Sequence, residues 1–585
     1  MIKLLKNFTI KEWLIVLMCI ILTYINVTLE LKIPDYMSEI TRLIQSSSEN
    51  MNHEILIQGM WMTLFAFGSF ICAGISIYFA ARLSSSFSLN IRSKIFNKVE
   101  NFGIEEMKKF STPSLITRTT NDVTQIEMLI AMGLHMMLRA PFMCGLAISK
   151  IIGKSIEWSM LLAGCIVILL AVIISLLIIV VPRFKLIQKL IDRINGVTRE
   201  NLTGIRVIRA FNAEKYQSKR FEDVNDELTS NQLFVQKKLA IMGPMMNLIM
   251  YGLTFGIYLI GAYLIYNSVL SKKIELFSNM VVFTSYGMQV IMSFLMLAFI
   301  FMIGPRAAIS ANRINEVLDE ENKIKEGSFD KDTEEKGTVE FKNVSFKYPD
   351  ADEYILNNIS FKANKGETIA FIGSTGSGKS TLINLIPRLY DTTEGEVLVD
   401  GINVKEYTFK NLNNKVGYIP QKAIMFTGSV KKNITYGETS KKITDEDIMN
   451  AIKISQSDFV LDLDGELKAP ISRGGTNLSG GQKQRLSIAR TIARNPEIYI
   501  FDDTFSALDY KTDLNLRREL KRYTKDSTSI IVAQRIGTIM NADKIIVLDK
   551  GECAGIGTHK ELLKTCEVYK EIAFSQLSEE ELKNA

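Results

Sequence analysis

The sequence predicts two domains built for different surroundings: an α-helical membrane domain with six spans, followed by a soluble α/β domain. A chain of 585 residues is too long for one ordinary core, so more than one domain is expected. Long apolar runs recur up to about residue 304, and beyond it charged residues are distributed throughout. The second part also contains a glycine-rich segment between a strand-like run and an apolar helical pattern.

The membrane domain rests on six runs long enough to cross roughly 30 Å of hydrocarbon. They occupy residues 13–33, 55–79, 128–152, 158–181, 240–266 and 280–303. Lys and Arg collect between the second and third runs and between the fourth and fifth, so the amino terminus, both long loops and the soluble domain are predicted to be cytoplasmic. Both loops contain few Gly or Pro residues, which favours helical extensions with short turns near 111–123 and 203–214.

The predicted boundaries are 1–318 for the membrane domain, 319–337 for a linker and 338–585 for the soluble domain. The linker is polar and has the composition of a flexible segment. The net charge of +6 is explained by the cytoplasmic loops, and no basic and aromatic surface motif indicates nucleic acid. The six cysteines lie far apart, and no pair has the spacing of a metal site.

The glycine-rich segment has the order of a phosphate-binding loop. The strand-like "ETIAFIG" runs into "GSTGSGKST", which the helical pattern "LINLIPRLY" follows. Backbone N–H groups of such a loop wrap phosphates, the lysine reaches the β and γ phosphates, and the serine ligates Mg²⁺. The predicted ATP-binding residues here are Gly373, Ser374, Thr375, Gly376, Ser377, Gly378, Lys379, Ser380 and Thr381. Further on, Asp502 ends a short apolar run and is predicted to hold the same Mg²⁺.

A second motif, "LSGGQ", lies between the phosphate loop and Asp502. It resembles the signature motif of ABC transporters and comprises Leu478, Ser479, Gly480, Gly481 and Gln482. With six spans ahead of it, the chain resembles a half-size ABC exporter of the type IV fold over practically its whole length. The resemblance implies ATP and Mg²⁺ as cofactors and a second half-transporter subunit, because each ATP lies between the phosphate loop of one subunit and the signature of the other.

The resemblance assigns roles to further residues. Tyr348 resembles the aromatic residue that stacks on adenine, although an ordinary strand tyrosine is the alternative. Gln421 resembles the glutamine that contacts Mg²⁺ and the transmembrane domain. The "SALD" segment resembles the loop that crosses to the partner domain, and consists of Ser506, Ala507, Leu508 and Asp509. The loop tips around 114–122 and 204–214 resemble coupling helices.

Two positions depart from the family pattern. Asp503 stands where the family has its catalytic glutamate, and Gln534 stands where it has a switch histidine. Aspartate is shorter by roughly 1 Å, a displacement that can cost about a hundredfold in rate, and glutamine cannot become cationic. The pattern resembles the degenerate-site subunit of heterodimeric bacterial multidrug exporters, with a separate partner supplying the competent site. A homodimer with slow ATPase activity and an ATP-gated regulatory or sensing complex are the alternatives.

The cargo is predicted to be amphipathic or hydrophobic, a drug or a lipid, moved out of the cytoplasm or the inner leaflet of a bacterial plasma membrane. Methionines are frequent in the apolar runs and suit varied substrates, but helix packing also explains them. His135 and Arg139 interrupt the third run. Such groups suggest an aqueous cavity or a functional pairing, and snorkelling or an interhelical hydrogen bond is the alternative.

Overall fold

A computed structural model describes residues 2–6, 8–45, 51–152, 154–349, 351–439 and 441–577. The chain forms two compact units. The first comprises Met1–Glu100 and Phe110–Glu320, and the second comprises Asn101–Lys109 and Glu321–Ala585. The predicted soluble domain therefore gains a short segment from the first long loop, and its predicted end, 578–585, lies outside the described residues.

The first unit is helical throughout its regular structure. Its helices are α1 Ile2–Leu5, α2 Ile10–Glu30, α3 Lys32–Gln45, α4 Met51–Glu100, α5 Ile104–Phe110 (shared with the second unit), α6 Thr112–Thr117, α7 Val123–Met128, α8 Leu134–Ile151, α9 Ile156–Thr203, α10 Ile205–Ala210, α11 Glu214–Ala240, α12 Met242–Tyr266 and α13 Leu270–Asp319. Two π-helical turns, Arg118–Asp122 and Leu129–Gly133, join α6, α7 and α8 into one continuous segment.

Six helical segments in the described residues are long and apolar enough to cross a membrane. They are Ile10–Gln45, Met51–Glu100, Thr112–Ile151, Ile156–Thr203, Glu214–Tyr266 and Lys272–Asp319. Helix α4 has 50 residues, so it measures roughly 75 Å at the rise of an α-helix and extends well beyond the hydrocarbon core. The prediction of a six-span membrane domain with long helical extensions is confirmed.

Arg139 is paired within the first unit. Its guanidinium Nη2 donates to both carboxylate oxygens of Glu30 at 2.9 and 2.7 Å, which joins α8 to α2. A second acidic residue is also paired. Asp35 accepts hydrogen bonds from Lys150 Nζ at 2.7 Å and from the Tyr286 hydroxyl at 2.6 Å. Opposite charges that pair between helices are the usual way to keep ionisable groups among apolar spans. For Arg139 the structure shows the interhelical pairing.

The second unit contains two main sheets. Its strands are β1 Val339–Phe346, β2 Leu356–Ala363, β3 Thr368–Gly373, β4 Glu394–Val399, β5 Ile402–Asn403, β6 Val416–Ile419, β7 Gly428–Ser429, β8 Pro470–Ile471, β9 Ile498–Asp502, β10 Thr528–Val532, β11 Lys544–Asp549 and β12 Glu552–Gly557. Its further helices are α14 Lys379–Asn384, α15 Phe409–Lys415, α16 Val430–Ile434, α17 Asp445–Ile454, α18 Gly480–Arg494, α19 Tyr510–Tyr523, α20 Ile536–Ile539, α21 His559–Thr565 and α22 Glu567–Gln576. Within the described part of this unit, the short segments Asp458–Val460, Glu466–Lys468 and Arg473–Gly475 are 3₁₀-helical.

The larger sheet has the order β12-β11-β3-β10-β9-β6, and the smaller one is antiparallel with the order β2-β1-β4-β5. Strands β3, β10 and β9 are neighbours and parallel, with Val532 opposite both Phe371 and Asp502. Parallel neighbours end at the same edge of a sheet, and ligands of open α/β sheets bind outside that edge. This topology brings the phosphate loop after β3, the acidic pair at the end of β9 and Gln534 after β10 to one edge.

The linker is firmly bonded to the second unit, contrary to the flexibility that its composition suggested. Phe329 N donates to the Glu406 carbonyl at 2.8 Å, and its ring packs edge-on against Tyr407. Thr338 N donates to Asp400 Oδ1 at 2.9 Å, and Thr333 Oγ1 accepts from Lys415 Nζ at 3.0 Å. Residues of the predicted linker, 319–337, therefore serve as hydrogen-bonding partners for a folded surface rather than as a solvated spacer.

The first loop tip also differs from the prediction. Asn101–Lys109 belongs to the second unit, whereas 114–122 belongs to the first, where Asp122 Oδ1 accepts from Ser310 Oγ at 2.8 Å. The segment that leaves the first unit therefore lies about ten residues before the predicted tip. The second predicted tip, 204–214, lies where α9 ends at Thr203 and the short helix α10 precedes α11.

Candidate functional site

The phosphate loop joins β3 to α14. Gly376 and Gly378 have φ angles of +88° and +93°, a left-handed conformation that L side chains rarely adopt. A Cβ on Gly378 would lie 2.7 Å from Leu356 Cδ2, whereas one on Gly376 would meet no atom within 4 Å. The backbone at Gly376 therefore borders open space at the start of a helix, which fits the close approach of a phosphate chain.

Lys379 holds its ammonium inside this loop. Nζ donates to the carbonyl oxygens of Gly373 and Ser374 at 2.9 and 2.7 Å, and lies 3.3 Å from Ser377 Oγ. Burial lowers the pKa of Lys379, and the charges of Asp503 and Asp502 act in the opposite direction. Neutral carbonyls satisfy the ammonium only in part, so an anion entering the loop would gain a charge-assisted partner.

Asp502 ends β9 and is buried. Its Oδ1 accepts from Ser380 Oγ at 3.0 Å and its Oδ2 from the Tyr418 hydroxyl at 3.1 Å. Burial raises the pKa of Asp502, against the hydrogen bonds from Ser380 and Tyr418. The predicted Mg²⁺ ligands Ser380 and Asp502 are thus adjacent, and both offer the oxygen ligands that Mg²⁺ prefers.

No group of three His, Cys, Asp or Glu side chains suited to a metal exists among the described residues. A cation between Ser380 and Asp502 would therefore need further ligands from bound phosphates and water. That arrangement is typical of Mg²⁺, which usually binds through one or two protein groups and the phosphates of the nucleotide.

Asp503 is held by two amides. Its backbone has φ of +44°, and its N–H donates to the Val532 carbonyl at 3.0 Å. Its Oδ2 accepts from Gln421 Nε2 at 3.1 Å and from Gln534 Nε2 at 2.8 Å. The structure thus joins the two departures from the family pattern and adds Gln421, whose predicted contact with Mg²⁺ stays a prediction.

The signature residues begin α18. Ser479 Oγ accepts from Gln482 N at 3.2 Å while Gln482 Oε1 accepts from Ser479 N at 2.8 Å, a capping box that fixes the helix start. A Cβ on Gly481 would lie 3.4 Å from the Ala507 carbonyl oxygen, so the signature lies beside the 506–509 segment. Asp509 caps α19 through a hydrogen bond from Thr512 N at 3.0 Å. Leu478 is buried and packs in the hydrophobic core of the second unit.

Tyr348 follows β1 and belongs to an aromatic cluster. Its ring lies edge-on to Phe346 and Tyr390, with centroids 5.0 and 5.4 Å away. Its hydroxyl is 3.1 Å from Thr381 Oγ1, which ties the ring to the helix that follows the phosphate loop. Of the predicted ATP-binding residues, Ser374 and Thr375 lie in the phosphate loop, between Gly373 and Gly376. The Tyr348 ring thus lies beside the helix that follows the phosphate loop, and its stacking on adenine stays a prediction.

Sequence reasoning missed three residues of this site: Lys108, Tyr390 and Tyr418. Tyr390 ends the run "LINLIPRLY" directly after the phosphate loop, so its place in the motif was a usable signal. Tyr418 lies three residues before Gln421 on a strand beside β9, which was also readable. Lys108 comes from a loop 240 positions before Tyr348, and no local pattern indicates that contact.

Family models match most of the chain. The ABC transporter transmembrane region matches residues 16–321, and the ABC transporter model matches residues 356–506. The chain belongs to the ABC transporter family. It is a multi-pass membrane protein with an ATP-binding domain, and it has the six-span architecture of the ATP-driven exporters, as the sequence predicted.

Relatives of similar length include several bacterial ABC proteins. An uncharacterized ABC transporter ATP-binding protein of Mycobacterium tuberculosis is 37% identical over 509 residues, which is 86% of each chain. YfiB of Bacillus subtilis, also described as an uncharacterized ABC transporter ATP-binding protein, is 36% identical over 88% of each chain. A multidrug resistance ABC transporter ATP-binding and permease protein of Lactococcus lactis is 30% identical over 84% of this chain and 82% of that protein.

A solved structure shares the fold. The structure of a bacterial Atm1-family ABC exporter with ATP bound superimposes with a TM-score of 0.81 over 97% of this chain and 98% of that one, at 20% sequence identity. The prediction of a type IV exporter fold, with a membrane domain and an ABC nucleotide-binding domain, is confirmed.

Proposed function

We propose that this exporter chain works as one half of an asymmetric pair, and that its own phosphate loop holds ATP with Mg²⁺ but cleaves it poorly. Its signature, 478–482, would complete the ATP site of a different subunit that carries the usual glutamate and histidine. The observation that carries the proposal is the double hydrogen bond that Asp503 Oδ2 accepts from Gln421 and Gln534.

A general base must accept a proton from the attacking water, so it needs a free lone pair within reach. Asp503 Oδ2 already accepts two hydrogen bonds, which fill the two lone pairs of that oxygen and leave Oδ1 as the oxygen that would have to accept the proton. The shorter side chain adds a deficit of roughly 1 Å relative to glutamate. Gln534 can donate a hydrogen bond but carries no positive charge to place against a phosphate.

The residues proposed to hold the nucleotide have the opposite character. Lys379 Nζ donates to carbonyl and hydroxyl oxygens of its own loop, and Ser380 and Asp502 offer adjacent oxygen atoms as metal ligands. Bound Mg²⁺ would neutralise part of the phosphate charge between them. Tyr348 would stack on the base, with its hydroxyl held by Thr381. Binding and cleavage thus depend on different residues, and only those for cleavage are altered.

The proposed cargo is an amphipathic or hydrophobic molecule, a drug or a lipid. Met143, Met246 and Met280 are buried in the core of the first unit, so these three pack between helices and the assignment of the cargo rests on other support. The Lactococcus lactis relative is described as a multidrug resistance protein, which supports the same class.

The test uses the chain purified with its candidate partner, the product of a neighbouring reading frame that has six spans, a glutamate after its acidic strand and a switch histidine. Replacing the partner's glutamate with glutamine should lower ATPase activity of the pair about a hundredfold or more, the typical contribution of a general base. Adding Asp503→Glu with Gln534→His to this chain should then restore turnover at its own site.

Loss of activity on the partner substitution alone would locate turnover there. Robust ATPase activity by homodimers of this chain would overturn the asymmetric pair. Unchanged ATPase activity after the partner's glutamate-to-glutamine substitution alone would overturn turnover at that composite site, and a pair with no ATPase activity before any substitution would leave a regulatory role for ATP binding.

A further inference from the structure

Lys108 contacts the aromatic cluster at the proposed base-binding end of the ATP site. It lies in α5, within the segment Asn101–Lys109 that belongs to the second unit. Its Nζ donates to the Tyr390 hydroxyl at 3.0 Å and lies 5.0 Å from the ring centroid of Tyr348. The same ammonium is 5.6 Å from the Tyr390 ring centroid. The ammonium therefore lies against the Tyr348 ring and at the hydroxyl end of Tyr390.

The two rings differ in how they are held. Tyr390 is buried and its hydroxyl accepts the hydrogen bond from Lys108. Tyr348 is half-buried, with Phe346 and Tyr390 at its edges and Thr381 at its hydroxyl. A cation within about 6 Å of a ring centroid is attracted by the ring's electron density. Lys108 thus supplies an interaction with the Tyr348 ring that the edge contacts do not.

The hydrogen bond with Tyr390 raises the pKa of Lys108 despite partial burial, so the ammonium stays charged at physiological pH. The segment that carries Lys108 is anchored by other contacts. Lys323 pairs with Glu105 at 3.0 Å and donates its N–H to Glu106 at 3.2 Å. Removal of the charge on Lys108 therefore leaves the segment attached.

We propose that Lys108 is a positioning residue for the base of bound ATP: it holds Tyr348 and Tyr390 in place and draws electron density from the Tyr348 ring, which favours stacking by an electron-rich purine. The proposal rests on the proposed role of Tyr348 as the stacking residue. It assigns Lys108 to the base end of the nucleotide and not to the phosphates.

The experiment measures equilibrium binding to the full-length chain in lipid nanodiscs, with two probes: ATP and inorganic tripolyphosphate, which has no base. Lys108→Met keeps the apolar stem and removes the charge. It should weaken ATP binding about two- to fivefold, the size of one cation–π contact, and leave tripolyphosphate binding unchanged. Lys108→Arg should retain wild-type ATP binding.

Lys347→Met is the matched control. Lys347 is next to Tyr348 in the chain, but its ammonium lies 5.8 Å from the ring centroid of Tyr354 instead. The control removes an equal charge close to Tyr348 in the chain but away from its ring. It should therefore leave the affinities for ATP and for tripolyphosphate unchanged. Equal weakening of ATP and tripolyphosphate in Lys108→Met would identify a general attraction for phosphate and overturn the proposal, and so would no weakening of either.

Tyr348→Ala separates this inference from the proposal on which it rests. It should weaken ATP binding but not tripolyphosphate binding, and Lys108→Met added to it should cause no further loss, because the two residues act as a pair. Unchanged ATP binding in Tyr348→Ala would overturn the stacking role itself. Weakened binding in Tyr348→Ala with none in Lys108→Met would overturn the role of Lys108 alone.

Discussion

The phosphate loop and the surroundings of Asp503 meet at one edge of the same sheet, but their side chains are bonded differently. The ammonium of Lys379 rests on backbone carbonyls and one serine hydroxyl, contacts that a phosphate oxygen can replace. One oxygen of the Asp503 carboxylate, Oδ2, accepts hydrogen bonds from the side-chain amides of Gln421 and Gln534. On the proposed assignment, the site would keep nucleotide binding while its cleavage residues change, because the two tasks would depend on different side chains.

The largest effect on ATP binding is expected when the phosphate loop loses the positive charge of its lysine. Lys379→Met removes a charged partner worth about 2–3 kcal/mol, so the Kd for ATP at this site should rise roughly 30- to 160-fold. ATP titration of the purified chain measures the change. The exposed Lys410→Met provides a control of equal charge. A Kd unchanged by Lys379→Met would show that the triphosphate does not bind in this loop.

A smaller effect is expected at the proposed Mg²⁺ position. Asp502→Asn should lower the affinity for ATP roughly tenfold when Mg²⁺ is present, because a charge-assisted contact is lost, and should leave the affinity without Mg²⁺ nearly unchanged. Titrations with and without a chelator measure both. If Mg²⁺ still strengthened ATP binding to the variant as it does in the wild type, Asp502 would not be the metal ligand.

The same position predicts a pH dependence. Burial raises the pKa of Asp502 above its ordinary value of 3.8, so this carboxylate becomes protonated at a higher pH than an exposed aspartate does. The Mg²⁺-dependent part of ATP affinity should therefore decline as the pH falls towards that raised pKa. The nucleotide titrates as well, and Asp502→Asn serves as the control because only the protein contribution disappears in it.

The smallest change in ATPase activity is expected at Asp503. In a competent site this position holds the catalytic base, and its substitution would cause the largest loss. Asp503→Asn keeps an oxygen that can accept from Gln421 and Gln534, so ATPase activity of the pair should change less than about twofold. Thermal stability should fall by about 1 kcal/mol, because hydrogen bonds to a neutral acceptor are weaker. The exposed Asp526→Asn is the matched control. A tenfold loss of ATPase activity in Asp503→Asn would instead make Asp503 the working base.

Local patterns predicted much of this molecule. The six spans follow from the length of apolar runs, and the position of Asp502 follows from a short buried strand that ends in a carboxylate. The phosphate loop follows from glycines that need left-handed backbone beside Lys379. Each of these signals lies within about twenty residues of sequence, the range over which periodicity and turn chemistry operate.

Contacts between distant positions were not predictable in the same way. Thr333 lies in the polar stretch predicted to be flexible and Thr338 directly follows it, but they bond to Lys415 and Asp400, residues more than sixty positions later. Arg139 pairs with Glu30 across more than a hundred residues. The amide of Gln421 reaches Asp503 only because β6 and β9 are neighbours. Sheet order and helix rotation decide such contacts, and neither is visible in a single sequence.

The composition of the second unit also has a consequence for synthesis. Its segment Asn101–Lys109 leaves the ribosome before four of the six spans, whereas the rest of the unit begins at Glu321, after the last span. Chain order therefore forbids the unit from completing its fold early. The second unit can complete its fold only after the ribosome has synthesised all of the first unit. For the same reason, no single proteolytic cut in the chain releases the second unit intact.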